Sequence, residues 1–316
     1  MLGLAMSRLP ATSHWHMLRT AEESCGLHLM TLKNWVNFSA ALIANVTMIG
    51  CAGSAARVSA GKPERTSTAF TKTADVVYTP GNWPSALKAD LYQPAGENLR
   101  PAVLLVYGGS WSSSDHRWQM TLLARKLARR GFFVMNATYR GTPDFRYPAP
   151  VDDLREALRW MRVHAKQYHL NPDKIAVYGF SAGGYLAAML GTRDGPPEVR
   201  VQAVVAASAP TDLTLYPTGD ILPRFLGATF AENPALYREA SPVTYVTADD
   251  PPFFLYHGSD DATVSPDHSK AFKAALDLAG VRNQLHWVEG RSHATILIFG
   301  GASEDAAIDF LGDVLR

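Results

Sequence analysis

From about residue 75 the chain repeatedly switches between two periods of apolar and polar positions. Residues 75–79 and 87–93 alternate, as half-buried strands do, and Pro80-Gly81-Asn82 marks a turn between them. Apolar runs at 101–107 and 175–178 predict strands covered on both faces, and the largely apolar stretches 132–138, 201–208 and 252–258 also read as strands. Helical spacing occupies 117–130, closed by Gly131, then 152–167, a stretch opening at 186–190, 269–280, closed by Gly280, and 303–316. Asn171-Pro172-Asp173 reads as a turn, and 283–289 as the last strand. Residues 210–246 hold several prolines and scattered aromatics, and they read as a short insertion over the sheet edge. Strands alternating with helices after an antiparallel pair predict an α/β fold: a mostly parallel central sheet with helices on both faces. In such sheets chemistry sits beyond the carboxyl ends of the strands.

The N-terminal part has a different texture. Lys33 precedes a moderately apolar run over 36–50, which ends in Met48-Ile49-Gly50-Cys51. A positive region, an apolar region and a small residue, in that order, read as a secretory signal. The last four residues resemble a bacterial lipobox, in which Cys51 would be lipidated and anchor the chain to a membrane. The expected location is therefore outside the cytoplasm, periplasmic or membrane-anchored. A buried amphipathic helix over 36–50 is the competing reading, and the run is too short and polar for a membrane span. Residues 1–29 look like no targeting segment and suggest a start at Met30. Residues 52–74, rich in small and polar residues, read as a flexible tether. The expected organisation is an extension and signal at 1–51, a linker at 52–74 and a catalytic domain at 75–316.

Composition narrows the function. Of the 316 residues 47% are hydrophobic, enough for a large core. A formal net charge of +1 gives no reason to expect a nucleic-acid partner. The two cysteines, Cys25 and Cys51, lie before residue 75, so zinc-type cysteine spacing and a disulfide framework are excluded for the rest. No metal or cofactor is expected.

The stretch 175–190 organises the remainder. A buried strand runs into Gly179-Phe180-Ser181-Ala182-Gly183 and then into a buried helix. This G-x-S-x-G pattern lets a serine stand at a sharp strand-to-helix turn, with no side chains two residues away to obstruct it. A serine hydroxyl needs a base, and the base needs an orienting carboxylate, following Ser181 in the order acid, then histidine. Of the histidines after Ser181, His257 precedes the candidate acids, His268 begins a helix directly after them, and His286 lies inside a strand. His293, in the loop after the last strand, is assigned as the base. Asp260 and Asp261 both qualify as the acid by position. The oxyanion donors are expected at the amide of Ala182 and in the glycine-rich loop Gly108-Gly109-Ser110, at Gly109 and Ser110.

These residues together resemble the α/β-hydrolase fold. More narrowly, they are similar to hormone-sensitive-lipase-like esterases and the neighbouring acetyl-xylan and feruloyl esterase group. The resemblance runs from about residue 75 to the C-terminus. Its marks are the stretches 107–111, 139–140, 173–184, 241–242, 251–264 and 289–293. The family's His-Gly-x-x-Asp-x-x-Val pattern selects Asp261 over Asp260. The chain departs from the family at the oxyanion loop, where Tyr107-Gly108-Gly109-Ser110-Trp111 stands for His-Gly-Gly-Gly-Trp. The missing histidine removes a hydrogen bond that helps to hold that loop, and the serine narrows the pocket.

The resemblance implies a serine hydrolase of small-molecule carboxylic esters, with Ser181, His293 and Asp261 as its catalytic residues. Trp111 and Tyr185 are the expected substrate contacts. The short insertion favours short acyl groups, acetyl or aromatic acyl on a sugar among them. Tyr216, Phe225, Phe230 and Tyr237 either line that pocket or form the insertion's core. Amide or formamide hydrolysis is the alternative on the same fold. A non-enzymatic binding protein is disfavoured because all three catalytic side chains occur in order.

Overall fold

The computed structural model describes residues 67–315. The signal-like run, Cys51 and most of the expected tether lie outside the described residues. In chain order the elements are β1 (Phe70–Val77), β2 (Lys88–Pro94), β3 (Arg100–Val106), α1 (Thr121–Arg129), β4 (Phe133–Ala137), α2 (Ala149–Val163), β5 (Leu170–Phe180), α3 (Ala182–Thr192) and β6 (Ala203–Ala207). There follow α4 (Ile221–Leu226), α5 (Pro234–Glu239), β7 (Phe253–Gly258), α6 (Asp267–Leu278), β8 (Asn283–Val288), α7 (His293–Phe299) and α8 (Gly301–Val314).

The eight strands form one sheet in the order β1-β2-β4-β3-β5-β6-β7-β8. β2 pairs antiparallel with both β1 and β4, and every pair from β4 to β8 is parallel. The mostly parallel sheet expected from the pattern is thus present. β4, β6 and β7 are buried at every position, as strands covered on both faces must be. α1 and α8 are tied by the Lys126–Glu304 ion pair at 3.3 Å, while α2 and α3 pack together behind β5.

Several boundaries differ from expectation, and the physical reason is visible for these. The first strand begins at Phe70, inside the expected tether, because its exposed residues Thr71–Asp75 are recruited by pairing with β2 rather than by burial. α2 starts three residues early, with Pro150 in its first turn, where a missing N–H costs nothing. The expected turn at 171–173 lies within β5, in a bulge between the Arg100–Leu170 and Ala102–Ile175 pairs. His293, expected in a loop, opens α7. The helix is capped by Ser292 and Thr295, whose side chains and backbones bond reciprocally.

One buried ion pair braces the carboxyl edge. Asp153 of α2 is fully buried and accepts from the Arg140 guanidinium, the Arg140 amide and the Trp83 indole, all at 2.7–2.8 Å. It ties the segment after β4 to α2 and to the β1–β2 connection. Asp153→Ala leaves a buried guanidinium without its counter-charge, and is expected to lower unfolding stability by about 3–5 kcal/mol. Urea denaturation of the purified protein beside the unaltered chain measures this.

Candidate active site

Ser181 stands at the junction of β5 and α3 with φ 55 and ψ −121, a conformation that costs a non-glycine residue about 1–3 kcal/mol. The turn is possible because its flanks are bare. A Cβ on Gly179 would overlap the Gly183 carbonyl, and one on Gly183 would overlap the carbonyls of Val106 and Tyr107. The Ser181 amide donates to the Ala207 carbonyl at the end of β6 (2.8 Å), which pins the strained residue to the neighbouring strand.

The hydroxyl meets the side chain assigned from chain order. Ser181 Oγ lies 2.8 Å from His293 Nε2, and His293 Nδ1 lies 2.7 Å from Asp261 Oδ2. His293 is the first residue of α7, five positions beyond β8, and its ring packs on Phe180 at 5.0 Å. Asp261 lies three positions beyond β7 and is 3% exposed. Asp260 is exposed, accepts from the Ser259 hydroxyl, and takes no part in this chain of hydrogen bonds.

Burial on its own would push the Asp261 carboxyl up. Hydrogen bonds from His257 and His293, the charge interaction with His293 and the Val264 amide outweigh it and hold the group well below the ordinary carboxylate range. Oδ1 accepts the amides of Thr263 and Val264 at 3.0 and 2.9 Å, and Oδ2 accepts His293 and, at 3.2 Å, His257 Nε2. His257 is itself buried between the Val264 carbonyl and the Ser269 hydroxyl. The carbonyl requires a proton on Nε2, so His257 is a donor toward Asp261. This supporting role was not read from the sequence, where His257 was set aside because it precedes the acid. Its place four residues before Asp261, at a strand end, was the available signal.

The loop expected to supply oxyanion donors follows β3. Gly109, Ser110 and Trp111 have φ values of 135, 53 and 55, three successive residues in left-handed territory. No protein acceptor takes the amides of Gly109 and Ser110 among the described residues. Ala182 opens α3, where a helix has no internal acceptor for its N–H. Side chains from three segments secure the loop. Tyr107 stacks on Tyr139 at 4.7 Å, and Tyr139 Oη donates to the Tyr107 carbonyl. His116 occupies the space over Gly109, with Nε2 3.3 Å from Ser112 Oγ. The Thr142 amide donates to the Trp111 carbonyl.

Ser181, Ala182, Ser110 and Trp111 border a cavity of about 300 Å³, closed on the other side by Leu213, Ile221, Val264 and His268. Of the two expected substrate contacts, Trp111 thus lies on the cavity. Tyr185 does not. It is wholly buried, its hydroxyl donates to the Ala240 carbonyl, and its ring stands edge-on to Trp111 and Phe225, so it backs the cavity wall. A position four residues into α3 turns the side chain under the insertion and away from the opening. Of the insertion's aromatics, Tyr216 lines the cavity, whereas Phe225 and Tyr237 are core and Phe230 packs against it. The segment lies over α3 and the loop after β3, through the 4.2 Å Trp111–Phe225 stack, and not over the sheet edge. Among the described residues no group of three or more His, Cys, Asp or Glu side chains is placed to hold a metal ion.

His268 carries a pH signature. Burial holds its imidazole down to about 4, against Asp212 and Asp267, which pull it up, and with His257, which pushes it the same way as burial. A base depressed in the fold binds fewer protons there than in the unfolded chain between about 4 and its ordinary 6.5. Its contribution is complete above 6.5 and is lost as pH falls through that window. Acidification from pH 7 to pH 4 is therefore expected to cost on the order of 3 kcal/mol through this group. Urea unfolding at pH 7, 5.5 and 4 should show a shallower loss in His268→Gln.

The chain is similar to known proteins. The BD-FAE family profile matches residues 89–276. Esterase LipQ of Mycobacterium tuberculosis is 31% identical over 228 residues, covering 66% of this chain and 53% of that protein. The chain thus spans about half the length of that relative. Among solved structures, a bifunctional GH43-CE protein of Bacteroides eggerthii superposes with a TM-score of 0.71 at 26% identity, over 78% of this chain and 38% of the other. The native esterase Est2 of Thermogutta terrifontis superposes with a TM-score of 0.64 at 27% identity, over 80% of this chain and 94% of its own.

Proposed function

The chain belongs to the BD-FAE family and has the α/β-hydrolase fold, and on that premise we propose that it is a serine hydrolase of short-chain carboxylic esters. The observation that carries this reading is the pair of contacts Ser181 Oγ–His293 Nε2 and His293 Nδ1–Asp261 Oδ2, at 2.8 and 2.7 Å, opening on a cavity. In the proposed reaction Ser181 Oγ attacks the acyl carbon as His293 takes its proton. Asp261 keeps the remaining imidazole proton on Nδ1 and stabilises the imidazolium. The amides of Gly109, Ser110 and Ala182 receive the developing oxyanion, each donor being worth roughly 3 kcal/mol in such sites. His293 then returns its proton to the leaving alcohol. Water, activated by the same imidazole, attacks the acyl-enzyme and releases the acid and Ser181.

Short acyl groups fit the size of the cavity, which Leu213 and Ile221 close on one side. Acetyl or aromatic acyl groups on sugars fall within this range.

Hydrolysis of p-nitrophenyl acetate, butyrate and octanoate tests the proposal. The two short esters are expected to turn over well ahead of octanoate, and Ser181→Ala and His293→Ala to lower kcat by at least about a thousandfold. A folded, unaltered protein that cleaves none of the three overturns it.

We also infer from the run ending at Cys51 that the chain is exported and lipidated there. Mass spectrometry of the mature N-terminus is expected to find a diacylglycerol-modified Cys51, and an unmodified chain that retains residues 30–50 refutes it.

A further inference from the structure

His268 is the histidine that borders the cavity, and it is 6% exposed. Its Nδ1 accepts the Asp212 amide at 3.4 Å, so the neutral ring carries its proton on Nε2. No protein group accepts that proton among the described residues. That N–H is not one of the buried polar atoms left without a partner among the described residues, so it opens on the cavity, and a ligand that brings an acceptor there takes the place of water.

The surroundings define the acceptor. No Lys, Arg, Asp or Glu borders the cavity, and Leu213, Ile221, Leu222 and Val264 give it an apolar body. A carboxylate entering there would find no counter-charge, and a cation would face an N–H. A neutral oxygen suffers neither penalty. The donor is also held in place. Tyr216, at the rim, donates to Asp267 Oδ2 at 2.8 Å and so ties the wall segment to α6 one residue before His268.

We propose that His268 is a specificity-determining residue whose Nε2–H binds a neutral oxygen (ether, hydroxyl or carbonyl) on the part of the ester that enters the cavity. This rests on the esterase reading above. The preferred substrates are then oxygenated esters rather than plain alkyl ones.

Two isosteric pairs test it, each replacing one methylene by an ether oxygen: p-nitrophenyl butyrate against p-nitrophenyl methoxyacetate, and butyl acetate against 2-methoxyethyl acetate. The readout is the ratio of kcat/KM within each pair, in the unaltered protein, H268F and H268Q, with S181A as blank. Intrinsic reactivity cancels when ratios are compared between proteins. H268F is expected to lower the preference for the ether about fivefold in one pair, that pair identifying the group that enters the cavity. H268Q, which keeps an N–H near the position of Nε2, is expected to retain most of it. Should H268F not fold, H268L gives the same readout. Ratios unchanged in H268F, or lost equally in H268Q, overturn the inference and leave the esterase reading standing. Absence of any Ser181-dependent turnover overturns both.

Discussion

A carboxylate taken out of water costs several kcal/mol unless its oxygens are met by donors, and the placing of Asp261 is governed by that demand. Two backbone amides, of Thr263 and Val264, serve one oxygen, and two imidazoles, of His257 and His293, serve the other. The amides come from the turn that follows β7, so the carboxylate organises its own loop. His257 is fixed by Ser269 on α6, which brings that helix into register with the strand end. His293 is fixed from β8, and through it Ser181 on β5. One buried charge thereby connects three strands and two helices at a single edge of the sheet.

The other half of the site is built from backbone. Ser181 is strained, and the strain is sustained by a hydrogen bond to β6 and by glycines whose missing side chains allow carbonyls to approach. The loop after β3 holds Ser110 and Trp111 in the left-handed region, where each costs about 1–2 kcal/mol. Tyrosine stacking, His116 and a bond to Thr142 sustain it. A tyrosine at 107 and a histidine nine residues later thus hold the loop from two sides.

The strands were legible because burial on both faces imposes continuous apolar runs, and the chemistry because a serine elbow demands glycines at fixed offsets. What the chain hid was decided by partners distant in sequence. β1 is exposed along most of its length and is a strand only because β2 pairs with it. The bulge at 171–174 follows from register with β3, which no local pattern encodes. The direction of Tyr185 depends on the insertion that covers it. His257 touches Asp261 because the turn between them is tight, which its place in the chain before the acid does not reveal. Asp153 is an exception of another kind: helical spacing made it part of an amphipathic helix, but only Arg140 explains a buried charge there.

The insertion between β6 and β7 supplies Leu213, Tyr216 and Ile221 to the cavity but none of the three hydrogen-bonded side chains. Those side chains stand on strand ends whose pairing does not involve it. One side of the cavity wall and the hydrogen-bonded side chains are therefore encoded in separate stretches of the gene, whereas Val264 and His268 of the wall lie close after Asp261. Divergence can rewrite one continuous segment of some forty residues and change what is accepted, while the reacting atoms keep their spacing. Leu213, Tyr216 and Ile221 can thus change together as one side of the wall, while the side facing them stays tied to the segment that carries Asp261.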